Sequence, residues 1–401
     1  MKYLALAAAI FSGSASAQSI AFKPSLDLRV RYETVDQDGL TKDAEALTVR
    51  LRPGASFTSG DWSALVEAEA TASLVGRYNS GTNDKLLYPL VVDPENIELN
   101  RAQIRYVNPK GLSGTIGRQL VELADQRFVG SSNFRQNQQT FDAVRVQAGK
   151  AKGPFADVTY SWSARTVNGI NGKGPRQQAV SGDNLFALAG YRSDPATITA
   201  FAYLVDQDEF LVQGYRLASQ TYGIRLSGSL PLRGIGKLSY VASAAKQSDY
   251  HRNPNNYSSE YWLGELALAT GPLTLGAGYE VLGADDGIPL TSVQTPLASL
   301  FKFNGWADKF TTTPPNGLRD LYASAGYGWK KVGPAEAIDL SVIYHRFDAD
   351  RTGLDYGTEW DMLASARLRR GVTVSGRYAH YEAKGFATDT DKFWLEMSWA
   401  L

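Results

Sequence analysis

The sequence predicts an all-β chain, a closed antiparallel transmembrane β-barrel of about 18 strands. Three observations carry this: apolar and polar residues alternate throughout, connections alternate long and short, and a cleavable leader precedes the first strand. Lys2 supplies a positive start, Leu4 to Phe11 an apolar core, and Ala15-Ser16-Ala17 a small-x-small cleavage site. Residues 1–17 are therefore expected as a signal peptide and 18–401 as one barrel domain beginning at Gln18.

Beyond that leader no apolar run approaches the ~20 residues of a membrane helix. Barrel strands escape that criterion, because only one of their faces is apolar. The chain has no cysteine, which excludes a disulfide framework and a thiolate metal site. Its net charge of +0 gives no bulk basic character for nucleic acid.

In the first strand Leu26, Leu28, Val30 and Tyr32 alternate with Asp27, Arg29, Arg31 and Glu33. Later segments repeat this: Leu47, Val49 and Leu51 against Arg50 and Arg52, and Tyr222, Ile224 and Leu226 around Arg225. The last strand sets Phe393, Leu395, Met397, Trp399 and Leu401 against Lys392 and Glu396. Successive strand residues point to opposite faces, so each segment has one apolar and one charged face.

Long connections are expected near 36–44, 79–94, 120–138, 167–183, 206–219, 246–257, 283–316, 348–356 and 383–390. Tight turns fall between them, as at Thr58–Asp61, Asn108–Gly111, Ser193–Pro195, Pro231–Gly234, Thr270–Pro272, Lys331–Pro334 and Arg369–Gly371. Long outer loops and short periplasmic turns mark outer-membrane barrels, and a soluble sandwich has no reason to keep that parity. Trp62, Tyr106, Tyr160, Trp162, Tyr191, Trp329, Tyr344 and Trp360 fall near outward strand ends, where interfacial aromatic girdles belong. An open edge in lipid leaves backbone groups unpaired at several kcal/mol each, so the strand at Leu26–Tyr32 should close on Phe393–Leu401.

The polar face then lines the lumen. On this register Arg29, Arg31, Arg50, Arg52, Arg101, Arg105, Arg145 and Arg367 point inward with Glu67, Glu69, Glu359 and Asp361. Arg165, Arg225, Arg369, Arg377, Asp27, Glu33 and Glu396 share that face. Arginine stays charged and grips carboxylates through a planar fork, so the excess of arginine points to anionic or saccharide solutes. The competing role is bracing, with Arg50 and Arg52 meeting Glu67 and Glu69 on the next strand. The amide-rich stretch from Gly117 to Arg145 carries Arg118, Arg127 and Arg135, with Phe128 and Phe134 as anchors. It is expected to fold inward and narrow the pore.

Two chemistries find weak support. The three histidines, His251, His345 and His380, lack a convincing nucleophile or acid nearby, so no enzyme activity and no cofactor are expected. Asp348, Asp350 and Glu359 loosely match a Ca²⁺ loop, but between strands rather than helices, and no metal site is assigned.

Arg31-Tyr-Glu33, Arg50-Leu-Arg-Pro-Gly54, Glu98-Leu-Asn-Arg-Ala-Gln103, Gly117-Arg-Gln119, Asp125-Gln-Arg-Phe-Val-Gly130, Arg135-Gln-Asn137, Gln139-Thr-Phe-Asp142 and Asp355-Tyr-Gly-Thr-Glu-Trp360 give the chain a family resemblance. It resembles the alginate-export family of outer-membrane porins. The resemblance implies an 18-stranded barrel with an arginine-rich lumen that passes an anionic polyuronate. A channel in the Gram-negative outer membrane follows as the expectation, surrounded by lipid and lipopolysaccharide and inserted by the barrel-assembly machinery. The alternative is a secreted, soluble β-sheet protein that binds carbohydrate.

Overall fold

The computed structural model describes residues 19–208 and 214–401, so the expected leader at 1–17 lies outside the described residues. Eighteen strands follow in chain order. They are β1 (Ala21–Gln37), β2 (Ala44–Ser59), β3 (Trp62–Arg77), β4 (Asn96–Val107), β5 (Leu112–Gln119) and β6 (Thr140–Gly149). Next come β7 (Gly153–Arg165), β8 (Ala179–Arg192), β9 (Ala196–Val205), β10 (Ser219–Leu232), β11 (Gly236–Asp249) and β12 (Ser258–Thr270). The last are β13 (Leu273–Leu282), β14 (Leu318–Val332), β15 (Ala335–Asp348), β16 (Asp355–Leu368), β17 (Val372–Ala383) and β18 (Thr390–Ala400).

Every strand pairs antiparallel with its sequence neighbours, and β1 pairs with β18 from Asp27↔Ala400 to Gln37↔Thr390. The single sheet is therefore a closed ring without edges, which rules out the two-sheet sandwich of the soluble alternative. All nine expected long connections lie at one end of the ring, and the short turns lie at the other.

The outer surface is mostly apolar. Ile104, Ile224, Leu266, Leu321 and Leu395 all stand exposed on it, as lipid-facing side chains must. Aromatic pairs mark both rims: Trp62 with Tyr106 and Tyr327 with Trp329 toward the short turns, Tyr160 with Trp162 and Tyr344 with Trp360 toward the loops.

Close pairing depends on particular glycines. Gly117 in β5 has φ +114°, and a Cβ there would lie 2.2 Å from the Ala102 carbonyl oxygen of β4. A bulge where β3 meets β4 also changes the alternation. It turns both Asn100 and Arg101 toward one carboxylate, that of Glu67, which accepts from Asn100 Nδ2 at 2.7 Å and Arg101 Nε at 2.8 Å.

Candidate functional site

Inside the ring, three of the long loops fold inward and meet. Loop 120–139, between β5 and β6, bridges loop 283–317, between β13 and β14, at Val129 and Leu297. Gly130 N donates to Leu297 O at 2.9 Å and Ser299 N to Gln126 O at 3.1 Å. The Phe134 and Phe301 rings stack in parallel, 3.3 Å between centroids. Arg127 forms a 2.9 Å ion pair with Glu280 of β13 and donates to Asn304 at 2.8 Å, while Arg135 pairs with Asp308. Loop 78–95 joins through Asp93, which accepts from Gln136 N at 2.7 Å and Arg31 at 3.1 Å.

The loops rest on an apolar inner wall near the long-loop end. Phe141, Phe186, Phe201, Tyr203, Tyr261 and Phe347 point inward and pack with Val129, Val293 and Leu297 of the loops. Burying apolar side chains on both sides gives the loops fixed positions within the barrel. Polar latches add direction. Glu359 accepts from Ala307 N at 2.7 Å and Asp361 from Trp306 N at 3.2 Å, so both inward acids of β16 hold the tip of loop 283–317.

The arginines gather on one sector of wall, β17 through β4. Arg31 Nε donates to Glu396 at 3.0 Å, and its guanidinium lies 4.1 Å over the Phe134 ring. Arg29 lies 3.6 Å from the same Glu396 and donates to the backbone oxygens of Asn133, Phe134 and Arg135. Arg377 of β17 reaches Ser375 Oγ at 3.3 Å and faces Phe134 at 5.4 Å, with no carboxylate bonded to it among the described residues. Arg52 pairs with Glu69, and Arg101 with Glu67. Arg50 pairs with Asp27 of β1, not with either glutamate of β3, and its Nε and Nη1 have no hydrogen-bond partner among the described residues. Arg145 pairs with Asp157 at 2.6 Å. Arg105 and Arg367 point inward near the short turns, with no ion pair among the described residues.

Three expectations need correction. Arg118 does not line the pore: it alternates with inward Thr115 and Gln119, faces outward near the loop end, and pairs with outward Asp142 at 2.8 Å. Its place in an amide-rich run disguised its strand register. The weak Ca²⁺ trio does not converge, because Asp348 lies 3.4 Å from Arg346, Asp350 pairs with Arg319 at 2.9 Å, and Glu359 is buried inside the barrel. Each histidine does have an acid beside it: His251 with Asp206, His345 with Asp320 and His380 with Asp391, at 2.9–3.0 Å. Those aspartates come from other strands or loops, so sequence proximity hid them.

Sequence reasoning missed the inward aromatics and the inward course of loop 283–317, which it expected only as a long connection. Their inward phase was legible in principle, but apolar residues on a lumen face defy the rule that the polar face points in.

The profile of the family described as Alginate export matches residues 22–169. Pseudomonas aeruginosa OpdO superimposes with a TM-score of 0.70, at 16% identity, over 95% of this chain and 97% of its own. The chain resembles the alginate-export family, and its fold is that of the outer-membrane porins. Pseudomonas aeruginosa OpdK, solved with vanillate, gives 0.69 at 16% identity over 95% and 98%, and OccK9 (OpdG) gives 0.70 at 16% over 95% and 98%. No curated protein matches the chain.

Proposed function

We propose that this chain is a passive outer-membrane channel for anionic solutes, selecting at the arginine sector where the inward loops narrow the lumen. The observation that carries this is the crowding of Arg29, Arg31 and Arg377 around one carboxylate, Glu396. Arg31 also pairs with Asp93, so three fixed cations meet two carboxylates and one positive charge remains in excess. A solute carboxylate supplies the missing partner through the guanidinium fork.

The rings beside these cations refine the class. Phe134 and Phe301 stack beneath Arg31, Arg135 and Arg377. OpdK was solved with vanillate, itself an aromatic carboxylate. An acid bearing a planar ring, or a uronate sugar whose C–H face rests on a ring, fits this surface.

The test is reversal potential in planar bilayers under a salt gradient. Anion preference is expected in the unmodified chain. Arg377→Ser is expected to lower the anion-to-cation permeability ratio by about twofold or more, since it removes the guanidinium with the fewest ties to the wall. Cation preference in the unmodified chain overturns the reading. Arg50 and Arg52 are poorer choices because both are buried in the wall, and losing Arg52 strands the buried Glu69 carboxylate.

A further inference from the structure

The lipid-facing wall is not evenly covered. Outward positions on β14, β16 and β17 hold the small residues Ala325, Ala364 and Gly376, while large side chains such as Tyr327, Met362 and Phe393 stand around them. The small residues floor an open apolar groove of about 520 Å³ that crosses the wall from β18 to β13. A Cβ on Gly376 would meet nothing nearer than the Trp394 carbonyl oxygen, at 3.9 Å, so the space above it is free.

A second recess, of about 450 Å³, opens on the same outer face at the loop rim and shares Tyr378 and Phe393 with the groove. Its outward charges are mostly acids: Asp36 of β1, Asp43 and Glu45 where β2 begins, and Asp391 of β18. Asp36 and Asp391 stand directly opposite each other in the β1–β18 register, a placement in which like charges repel. The cations of these elements are engaged elsewhere or already shared. Arg77 pairs with Glu45 and His380 with Asp391, Lys42 lies 4.8 Å over the Tyr88 ring, and Lys392 points into the lumen to Asp308. Asp36 and Asp43 have no ion pair among the described residues.

We propose that groove and recess together seat one lipid of the outer leaflet, its acyl chain laid over Gly376 and its primary-amine headgroup among Asp36, Asp43 and Asp391. The site lies outside the lumen and does not rest on the anion-channel reading. Length agrees with this occupant. From β18 to β13 there are five inter-strand steps of about 4.8 Å, a path of about 24 Å. Strands tilted by about 45° turn that path into a descent of about 17 Å. One leaflet contributes ~15 Å of the ~30 Å hydrocarbon core, so a chain in the groove keeps its head at the loop rim.

Shape and charge then do separate things. Inside a bilayer no water is expelled when a chain meets the wall, so the gain is close contact, which a groove offers and a flat wall does not. Charge selects the head. An ammonium brings a positive charge and three N–H donors to carboxylates that lack a partner, whereas an anionic head without an amine is repelled by them.

Native mass spectrometry of the detergent-solubilised barrel tests this, with phosphatidylethanolamine or phosphatidylglycerol of identical acyl chains titrated in. Phosphatidylethanolamine is expected to bind as one retained adduct, about tenfold more tightly than phosphatidylglycerol. Gly376→Phe fills the groove and is expected to weaken both lipids about tenfold. Asp36→Asn combined with Asp43→Asn is expected to weaken phosphatidylethanolamine alone and so to remove most of the preference. Gel mobility before boiling and single-channel conductance report that each variant has folded, and both should stay as in the unmodified chain, because the substituted side chains lie outside the lumen. Equal affinity for the two lipids in the unmodified barrel overturns the proposal. So does undiminished lipid binding by folded Gly376→Phe. Neither outcome depends on the ion selectivity of the channel.

Discussion

Gly305 has φ +83°, and a Cβ there would lie 2.3 Å from a Glu359 oxygen. The glycine lets the next two amides turn onto Asp361 and Glu359. Gly305→Ala is therefore expected to free the tip of loop 283–317, seen as new protease cleavage within the loop and a larger, noisier conductance. Unchanged cleavage and conductance contradict that role. Lys309 sits four residues on. Burial, then nearby Lys392, pushes its ammonium down to about 8, although Glu359, Asp308 and Asp389 oppose the shift. It is charged below about pH 8 and neutral above. Between that value and the ordinary 10.5 the unfolded chain holds more protons, so stability rises with pH through this window. Anion preference should move the other way, falling between pH 7 and 9, and Lys309→Met should remove that step. Asp308 is a contrasting case: burial raises its carboxyl, but Arg135 and Lys392 hold it below the ordinary carboxylate range. The Arg135–Asp308 pair thus stays charged through the same interval.

At the scale of elements, loops 120–139 and 283–317 act as one unit. They share a backbone bridge, a ring stack and an inner apolar wall. Replacing residues 296–308 with a short Gly-Ser linker should remove that support from loop 120–139 as well. The expected result is a several-fold rise in conductance with loss of ion preference, while the detergent-solubilised barrel keeps its β-sheet circular dichroism. Retained preference would assign selectivity to the wall alone. The inward course of loop 120–139 was legible, because Phe128 and Phe134 stand out among amides and Arg127 and Arg135 need partners. Its partner loop was not, since Leu297, Phe301 and Asn304 carry no periodic signal. The inward or outward phase of most strands was legible because a period of two tolerates no slip. It failed where a local feature broke the period. The β3–β4 bulge turned Asn100 and Arg101 the same way, and Arg118 sat one position out of phase.

For the whole molecule, closure decides the environment. A ring without edges and with an apolar exterior is stable in a bilayer and insoluble outside one. The barrel should migrate faster in detergent gels before boiling than after, and should fractionate with outer membranes. A chain found in the soluble periplasmic fraction contradicts the membrane assignment. Loop-length parity made this architecture readable, since it depends on chain topology rather than on side-chain contacts. Pairing inside the lumen was less readable. Arg31 meets Glu396 across the β1–β18 seam, which only closure forms, and Asp93 on an inward loop, while Arg50 reaches back to Asp27 on the preceding strand.

The seam between β1 and β18 also bears on how such a chain is made. Arg31 and Glu396 are 365 positions apart, and closing a loop of that length costs about 5 kcal/mol in chain entropy. The first strand emerges early in synthesis and has no partner on that side until the last one is finished. Throughout that wait it carries a bare row of amides and carbonyls, open to any stray strand. Assembly is thus set by the arrival of β18, Thr390–Ala400, and losing a few of its residues should stall an otherwise complete barrel as an open sheet.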